Sequence, residues 1–281
     1  MKDIVKYLTT INPPRNFKNI SSLNKIANFI AMQFRKIGLN VYFQTFEVRG
    51  KMYKNVIASF NTQYEKRFVF GGHYDVAGDI AGADDNATAI AGIIQTARKL
   101  YKHKDKFNFR VEFVAFTLEE PPFFRTQNMG SYQYVKFLKK NNIDVIGMVN
   151  YEMIGYFSDE ENSQDYPINE MKKKYPTKGN FIAFVSNESS KKLLNNLKLK
   201  PNNLPFYKIV LPNFLTEFTA SDHLNFWDNN YPAIMVTDTA FYRNPNYHKK
   251  SDTIDTLNFE KMEEVIELVV NGFMKYSKDL N

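Results

Sequence analysis

The sequence predicts an α/β fold, a three-layer sandwich in which one mixed, largely parallel sheet carries helices on both faces. Two observations support this prediction. Apolar runs of strand length alternate along the chain with segments of helical periodicity, which is the pattern of a parallel sheet covered by helices. The 281 residues also contain no internal repeat and no clear interdomain linker, so we expect a single domain over residues 1–281.

The chain begins with a predicted helix and a hairpin. Apolar residues recur at helical spacing over residues 22–37, and Gly38 follows the last of them, as expected after the C-terminus of a helix. Two β-rich runs then flank Gly50. They predict a hairpin of residues 41–48 and 54–60.

Strands and helices alternate in the rest of the chain. A helix is predicted from about Ala87 to Leu100, and a last helix begins after Asn258, whose side chain suits an N-cap. The remaining predicted strands cover residues 67–72, 109–118, 145–153, 180–186, 205–211 and 233–239. The polar stretch 157–179 is expected to form either a rim or lid of a binding site or a mobile surface loop.

Composition limits the chemistry. There is no cysteine, which excludes disulfides, thiolate zinc sites and cysteine nucleophiles and leaves metal binding to His, Asp and Glu. The net charge of +7 accompanies short, scattered lysine clusters, so we expect a solvated surface and no nucleic-acid partner. No apolar run is long enough to span a membrane. The first residues do not resemble a signal peptide, which slightly favours a cytoplasmic location.

Chemically active side chains follow the C-terminal ends of four predicted strands: His73, Asp75, Glu119, Glu120, Glu152 and His248. Ligands of open α/β sheets collect at the carboxyl ends of the strands, so parallel strands would bring these residues to one edge. Taken singly, most of them are better explained as strand-end or surface residues. Glu152 is the exception, because an unpaired carboxylate inside an apolar run is costly to bury. Together they favour a common site.

The same residue types suit a centre of two divalent ions. Such a centre needs two histidines, two terminal carboxylates and one bridging carboxylate. The chain offers His73, His248, Glu120, Glu152 and one aspartate of the pair Asp84–Asp85. Nitrogen and oxygen donors without sulfur suit zinc, with cobalt or manganese as alternatives. Glu119 remains as a general base, and Asp75 is placed to accept the free ring N–H of His73.

An ordered set of motifs resembles the zinc-dependent aminopeptidases, a family that includes aminopeptidase Y and the glutamate carboxypeptidases: GGHYD, GADDNATA, TLEEPPFF, NYEMIG, SDHLNF and YHKKSDT. The resemblance extends from about residue 15 to the C-terminus and implies the zinc-dependent exopeptidase fold, which is phosphorylase/hydrolase-like. It implies that Asp85 bridges two zinc ions. His73 and Glu152 would hold one ion, and Glu120 and His248 the other.

The resemblance also implies two catalytic roles and one backbone feature. Glu119 is the implied general base, and Tyr247 matches a tyrosine that steadies the oxyanion in some relatives. The peptide bond between Asp85 and Asn86 is implied to be cis, which is unusual for a bond that does not precede proline.

The chain departs from the family in two places. Glu152 stands where many relatives have aspartate, and Thr88–Ala89 stands where the family usually has Ser-Gly. Among the other polar residues of these motifs, Asp79 and Asp84 are expected to be loop residues, and His223 is expected to have no direct metal role.

The expected activity is hydrolysis of N-terminal peptide bonds in peptides or small aminoacyl substrates. Three alternatives stay open: a glutaminyl cyclase with one zinc, a glutamate-type carboxypeptidase, and a binding protein without activity. The presence of both His73 and His248 favours two metals. Only Arg125 and Arg243 lie near the motifs, which is few for a carboxylate-binding pocket. Loop aromatics are expected to line an apolar substrate pocket or else to pack in the core: Phe123, Phe124, Phe214, Phe218 and Trp227.

Overall fold

One sheet forms the centre of the molecule. The computed structural model describes residues 1–212, 215 and 221–280, and the sheet in this part of the chain has eight strands: β1 (Asn40–Val48), β2 (Lys51–Phe60), β3 (Arg67–His73), β4 (Arg110–Phe116), β5 (Val145–Glu152), β6 (Ile182–Asn187), β7 (Phe206–Leu211) and β8 (Ala233–Thr237). Their order is β1-β2-β4-β3-β5-β8-β6-β7. Strands β4, β3, β5 and β8 are parallel neighbours, whereas β1–β2, β2–β4 and β6–β8 pair antiparallel. The predicted mixed, largely parallel sheet is confirmed.

Helices cover both faces of this sheet. They are α1 (Lys2–Thr9), α2 (Ile20–Ile37), α3 (Ala89–Tyr101), α4 (Gly130–Lys140), α5 (Asn169–Lys174), α6 (Lys191–Asn196), α7 (His223–Trp227) and α8 (Phe259–Tyr276). Neighbouring side chains of a strand point to opposite faces. Phe68 and Phe70 of β3 accordingly pack in the core that holds α2, α3 and α8, whereas Val69 packs in the core that holds α4 and α7.

A third apolar core lies at the β6–β7–β8 end of the sheet. Tyr166 is buried there together with Val185, Ile209 and Met235. Its hydroxyl donates a 2.7 Å hydrogen bond to the Pro176 carbonyl. Residues 157–179, which include α5, therefore pack against this end of the sheet as a wall.

Strand β3 and helix α3 pack closely at the C-terminal end of β3. A Cβ atom added at Gly72 would lie 2.9 Å from the Ala89 Cβ and 2.9 Å from the Tyr151 carbonyl oxygen. Real Cβ contacts are not this short, so only glycine allows this approach. It brings the end of β3, His73, next to the turn Ala83–Thr88 that precedes α3.

Several helices lie where the sequence pattern indicated none. Helices α5, α6 and α7 have only six, six and five residues, too few to display helical periodicity. Helix α3 begins two residues later than expected, because Asp85 and Asn86 leave helical backbone angles. The predicted cap of α8 is present, since the Asn258 side chain accepts a 2.9 Å hydrogen bond from the Lys261 amide. No helix in the described part of the chain is long and apolar enough to cross a membrane.

Candidate metal centre

The predicted residues meet at the carboxyl ends of four parallel strands. His73 is the last residue of β3 and Glu152 is the last residue of β5. Glu119 and Glu120 follow β4, and His248 lies in the loop between β8 and α8. His73, Asp85 and Glu120 each offer a ligand atom within 4.8 Å of those of the other two, a spacing that one metal ion can fill.

Asp85 lies between the two histidines. Its Oδ1 atom is 3.3 Å from His73 Nε2, and its Oδ2 atom is 3.1 Å from His248 Nε2. Each histidine also faces a second carboxylate. His73 Nε2 lies 3.5 Å from Glu152 Oε2, and His248 Nε2 lies 3.2 Å from Glu120 Oε2. The structure thus gathers two histidine–carboxylate pairs on the two sides of one aspartate.

Electrostatics couple these groups tightly. Burial alone raises the pKa of Asp85, but hydrogen bonds to His248 and His73 outweigh it and hold that pKa below its usual range. Burial lowers the pKa of His248, whereas hydrogen bonds to Asp85 and Glu120 raise it to about 10. Burial, with the Asp85 charge beside it, raises the pKa of Glu120 to about 7.

Glu119 is buried beside the cluster. Its Oε2 atom lies 3.6 Å from His73 Nε2, and its side chain is 7% exposed. Burial raises its pKa well above the usual value; His73 opposes the rise, and the charges of Glu120 and Glu152 add to it. The Glu119 carboxylate thus lies beside the histidine–carboxylate cluster, within reach of a group bound there, as a general base must.

Asp75 holds two parts of the site, although not quite as expected. The His73 Nδ1 atom lies 3.2 Å from the Asp75 backbone carbonyl and 3.6 Å from the Asp75 carboxylate. The main-chain oxygen therefore makes the hydrogen bond that was expected of the side chain. The carboxylate instead accepts the backbone amides of Glu119 and Glu120, each at 3.2 Å. Asp75 thereby ties the end of β3 to the segment after β4.

The backbone of Asp85 is anchored by a residue that sequence reasoning missed. Both oxygens of Asp252 accept main-chain amides, one from Asp84 at 2.9 Å and one from Asp85 at 3.1 Å. Arg15 holds the loop before this turn, because its buried guanidinium donates to the carbonyls of Tyr74, Ala81 and Gly82 among others. The signal for Asp252 was its place in the motif YHKKSDT. The peptide bond Asp85–Asn86 is cis, as the resemblance implied.

Asp84 corrects an expectation. It was expected to be a loop residue, but it is fully buried and hydrogen-bonded. Its Oδ1 atom accepts the Gly155 amide at 2.9 Å, and its Oδ2 atom accepts the Asn244 side-chain amide at 2.7 Å. Burial and the nearby charge of Asp238 raise its pKa well above the usual value. Asp79, by contrast, is exposed in the loop, as expected.

Glu152 has two neutral hydrogen-bond partners. Its side chain is longer than the aspartate that many relatives carry at this position. Ser221 donates a 2.5 Å hydrogen bond to its Oε2 atom, and the Asn86 side chain donates a 2.9 Å bond to the same atom. Sequence reasoning missed Ser221, although it stands in the motif SDHLNF. His223 is buried with its ring 4.5 Å from that of Trp227, and burial lowers its pKa to about 3.

Tyr247 stacks on the ring of His248, with ring centroids 3.8 Å apart. Burial and the charge of Asp85 raise the pKa of its hydroxyl far above the usual value. The phenol therefore keeps its proton at neutral pH and can donate a hydrogen bond. Tyr247 and Glu152 also form one side of an apolar pocket of about 740 Å³, its open mouth included.

The donor set fits divalent metal ions. The Glu120 Oε1 atom is buried without a hydrogen-bond partner among the described residues. Four carboxylates, those of Asp85, Glu119, Glu120 and Glu152, are buried around His73 and the partly exposed His248, and such a concentration of negative charge is favourable only with compensating cations. Imidazole and carboxylate donors suit zinc.

These features define a class of protein: an α/β protein with a histidine–carboxylate centre at the carboxyl edge of its parallel strands. The model of peptidase family M28 matches residues 55–272. The chain belongs to peptidase family M28, which confirms the resemblance seen in its motifs.

Relatives extend this assignment. The chain is 38% identical to uncharacterized protein YfbL of Escherichia coli, over 96% of this chain and 85% of that protein. It is 23% identical to a probable leucine aminopeptidase of Arthroderma otae, over 78% of this chain, and spans 56% of the length of that relative.

Solved structures share the fold. The LapA aminopeptidase of Legionella pneumophila matches with a TM-score of 0.76 and 19% identity, over 99% of this chain and 72% of that one. A glutaminyl cyclase of Porphyromonas gingivalis matches with a TM-score of 0.72 and 17% identity, over 100% of this chain and 97% of that one. Two different activities therefore occur on this fold, and the side chains of the site must distinguish them.

Proposed function

We propose that this protein is a metal-dependent aminopeptidase that hydrolyses the N-terminal peptide bond of peptides or small aminoacyl substrates. The observation that carries the proposal is the position of Asp85, whose two oxygens face two different histidine–carboxylate pairs. We propose that five residues hold two zinc ions, with cobalt or manganese as substitutes: His73, Asp85, Glu120, Glu152 and His248. When bound, such ions supply Lewis acidity, which lowers the pKa of water and polarises a carbonyl group.

The proton transfers belong to Glu119. Its Oε2 atom takes a proton from the attacking water and returns it to the nitrogen of the departing peptide. A carboxylate 3.6 Å from His73 Nε2 that is not itself a proposed ligand suits this role by its position. Its backbone is fixed through the amide that donates to Asp75, so the carboxylate needs little reorganisation during turnover.

Tyr247 is proposed to stabilise the oxyanion. Its phenol is protonated at neutral pH and lies beside His248, where the substrate carbonyl would develop negative charge. A preorganised donor at such a position stabilises the transition state more than the ground state.

A second candidate activity is cyclisation of an N-terminal glutamine on a single zinc. It is favoured by the glutaminyl cyclase match, which extends over 97% of that enzyme's chain. The pairing of each histidine with its own carboxylate across Asp85 supports the aminopeptidase instead, because one zinc needs only half of this set. The names of the fungal relatives, probable leucine aminopeptidases, also support hydrolysis.

One experiment separates the two activities. The zinc-loaded protein is incubated with a peptide that begins with glutamine, with its N-acetylated form and with a leucine peptide, and the products are identified by mass spectrometry. We expect release of free glutamine and free leucine and no reaction of the acetylated peptide. Loss of ammonia from the glutamine peptide without release of leucine would establish the cyclase and overturn the proposal.

A further inference from the structure

We propose that Arg15 clamps the two ends of the loop 74–82 and thereby sets the spacing of His73 and Asp85, which makes it a positioning residue of the metal centre. This inference rests on the proposed metal binding. The loop connects the last residue of β3 to the turn Ala83–Thr88, so one proposed ligand stands directly before it and the other shortly after it. Any change in the separation of the loop ends therefore changes the distance between the two ligands.

The Arg15 guanidinium binds both ends of this loop. Its Nε atom donates a 2.8 Å hydrogen bond to the Tyr74 carbonyl at the first end. Its Nη1 and Nη2 atoms donate to the carbonyls of Ala81 and Gly82 at the other end, at 2.5 and 2.6 Å. The guanidinium is a rigid planar fork, so its geometry fixes how far apart the two ends lie.

The clamped ends are closely connected to the ligands. Tyr74 follows His73 in the chain, and its amide donates a 2.9 Å hydrogen bond to the Phe116 carbonyl. At the other end Gly82 packs against Asp85, because a Cβ atom added at Gly82 would lie only 2.3 Å from the Asp85 carbonyl oxygen. A displacement of either end would therefore displace a ligand.

Arg15 is itself held by the helices at the start of the chain. Its Nη1 atom also donates a 3.1 Å hydrogen bond to the Leu8 carbonyl in α1. The Ser22 hydroxyl in α2 donates a 2.7 Å hydrogen bond to the Pro13 carbonyl, two residues before Arg15. The clamp is thus fixed outside the loop that it holds.

The charge of Arg15 belongs to the metal centre as well. The side chain is 1% exposed and forms no ion pair among the described residues. Burial lowers its pKa to about 10, against the charges of Asp252, Asp85 and Asp75, so it keeps its proton at neutral pH. A buried cation is costly, and a neutral donor could bind carbonyl groups at lower cost. The cation is favourable here because it faces the carboxylates of the centre.

The first test compares zinc affinities of Arg15→Lys and Arg15→Met by competition with a chromogenic chelator. Lysine keeps the charge but presents one ammonium group, which cannot span both loop ends, and methionine removes the charge. Each substitution is made in His248→Ala, which would leave the ion of His73, and in His73→Ala, which would leave the ion of His248. We expect both substitutions to lower zinc affinity about 10–100-fold in His248→Ala and less in His73→Ala.

The matched control is Arg35→Lys, an exposed arginine of α2, which should leave zinc affinity unchanged in both backgrounds. Unchanged affinity in Arg15→Lys overturns the clamp, because the charge alone would then suffice. Equal loss in the two backgrounds also overturns it, because a general loss of structure would not distinguish the two ions.

Amide hydrogen exchange of the wild type tests the clamp without any substitution, even if the Arg15 variants fail to fold. Four amides at the loop ends have acceptors, those of Tyr74, Ala83, Asp84 and Asp85. Since Arg15 would hold the loop without a metal ion, we expect these amides to be protected before zinc is added as well as afterwards. Exchange at the rate of an unstructured peptide before the addition, with protection only afterwards, overturns the clamp.

These measurements separate failure of the clamp from failure of the proposed function. Zinc-dependent hydrolysis by the wild type, with zinc affinity unchanged in both Arg15 variants, overturns the clamp and leaves the aminopeptidase intact. The expected losses of zinc affinity, without hydrolysis of any aminoacyl substrate by the wild type, overturn the aminopeptidase and leave the clamp intact. A wild type that binds no zinc overturns both.

Discussion

The metal centre and the apolar pocket share Glu152 and Tyr247 but are built in different ways. In the centre, two buried carboxylates fix the backbone next to functional side chains: Asp75 accepts the main-chain amides of Glu119 and Glu120, and Asp252 accepts those of Asp84 and Asp85. The pocket wall consists largely of apolar side chains whose contacts have no direction, such as those of Ile209 and Met235. Substitutions in the centre should therefore affect all substrates alike, whereas substitutions in the wall should change their ranking.

The largest effect is expected from Glu119→Gln. The amide cannot accept the proton of the attacking water, so kcat should fall by about 10²–10⁴-fold for every substrate. Glu119 is not among the proposed ligands, so bound zinc should stay unchanged. The matched control is Glu188→Gln, an exposed glutamate. Near-normal turnover of Glu119→Gln at full zinc content would remove Glu119 from the mechanism.

Tyr247→Phe should have the next largest effect. Loss of one preorganised donor to an oxyanion lowers kcat by about 10²–10³-fold in other hydrolases. KM and zinc content should change little, because the ring still stacks on His248. Steady-state kinetics on a panel of aminoacyl chromogenic substrates measures the effect, with exposed Tyr64→Phe as the control. A change in substrate ranking without loss of kcat would place Tyr247 in the pocket wall only.

Asp252→Asn should weaken the centre from outside the ligand set. One oxygen would be replaced by an amide nitrogen, which cannot accept the hydrogen bond from Asp84 or Asp85. Loss of such a supporting partner typically reduces metal affinity about 10–100-fold. Competition with a chromogenic chelator measures zinc affinity directly, and exposed Asp255→Asn is the control. Equal zinc affinity in Asp252→Asn and Asp255→Asn would show that the hydrogen bonds to Asp252 do not contribute to metal binding.

The smallest effect is expected from Tyr166→Phe in the pocket wall. Removal of its hydrogen bond to Pro176 should lower the free energy of unfolding by about 0.5–1.5 kcal/mol. Zinc affinity should remain unchanged, and any effect on activity should appear in the ranking of aminoacyl substrates. Thermal unfolding and the substrate panel check these outcomes, with Tyr7→Phe as an exposed control. Loss of zinc from Tyr166→Phe would contradict the separation of the two regions.

Sequence reasoning brought together the residues of the proposed metal centre because they stand at strand ends within short motifs. Parallel strands bring such positions to one edge whatever the loops between them do, so His73, Glu120 and Glu152 meet as expected. It was wrong about Asp84 because two adjacent aspartates look alike in a sequence. Only the fold shows that the Asp84 carboxylate accepts hydrogen bonds from Gly155 and Asn244.

The pocket was harder to predict. The loop aromatics were expected either to line an apolar pocket or to pack in the core, and Phe123 and Trp227 are buried in the core. Phe123 packs edge-on against Phe17, and Trp227 donates to the Ala233 carbonyl, so neither lines the pocket. Phe214 and Phe218 lie outside the described residues. The wall instead combines strand residues with the segment 157–179, and apolar residues of strands look the same in sequence whether they line a pocket or fill a core.

The central claim is that Asp85 bridges two metal ions, and zinc content at saturation tests it most directly. Native mass spectrometry of the wild type, Asp85→Ala and His248→Ala counts the ions bound per chain. We expect two zinc ions in the wild type, one in His248→Ala, and loss of both, or strong weakening of both sites, in Asp85→Ala. A single zinc per wild-type chain at saturation, or two zinc ions retained in Asp85→Ala, would contradict the account.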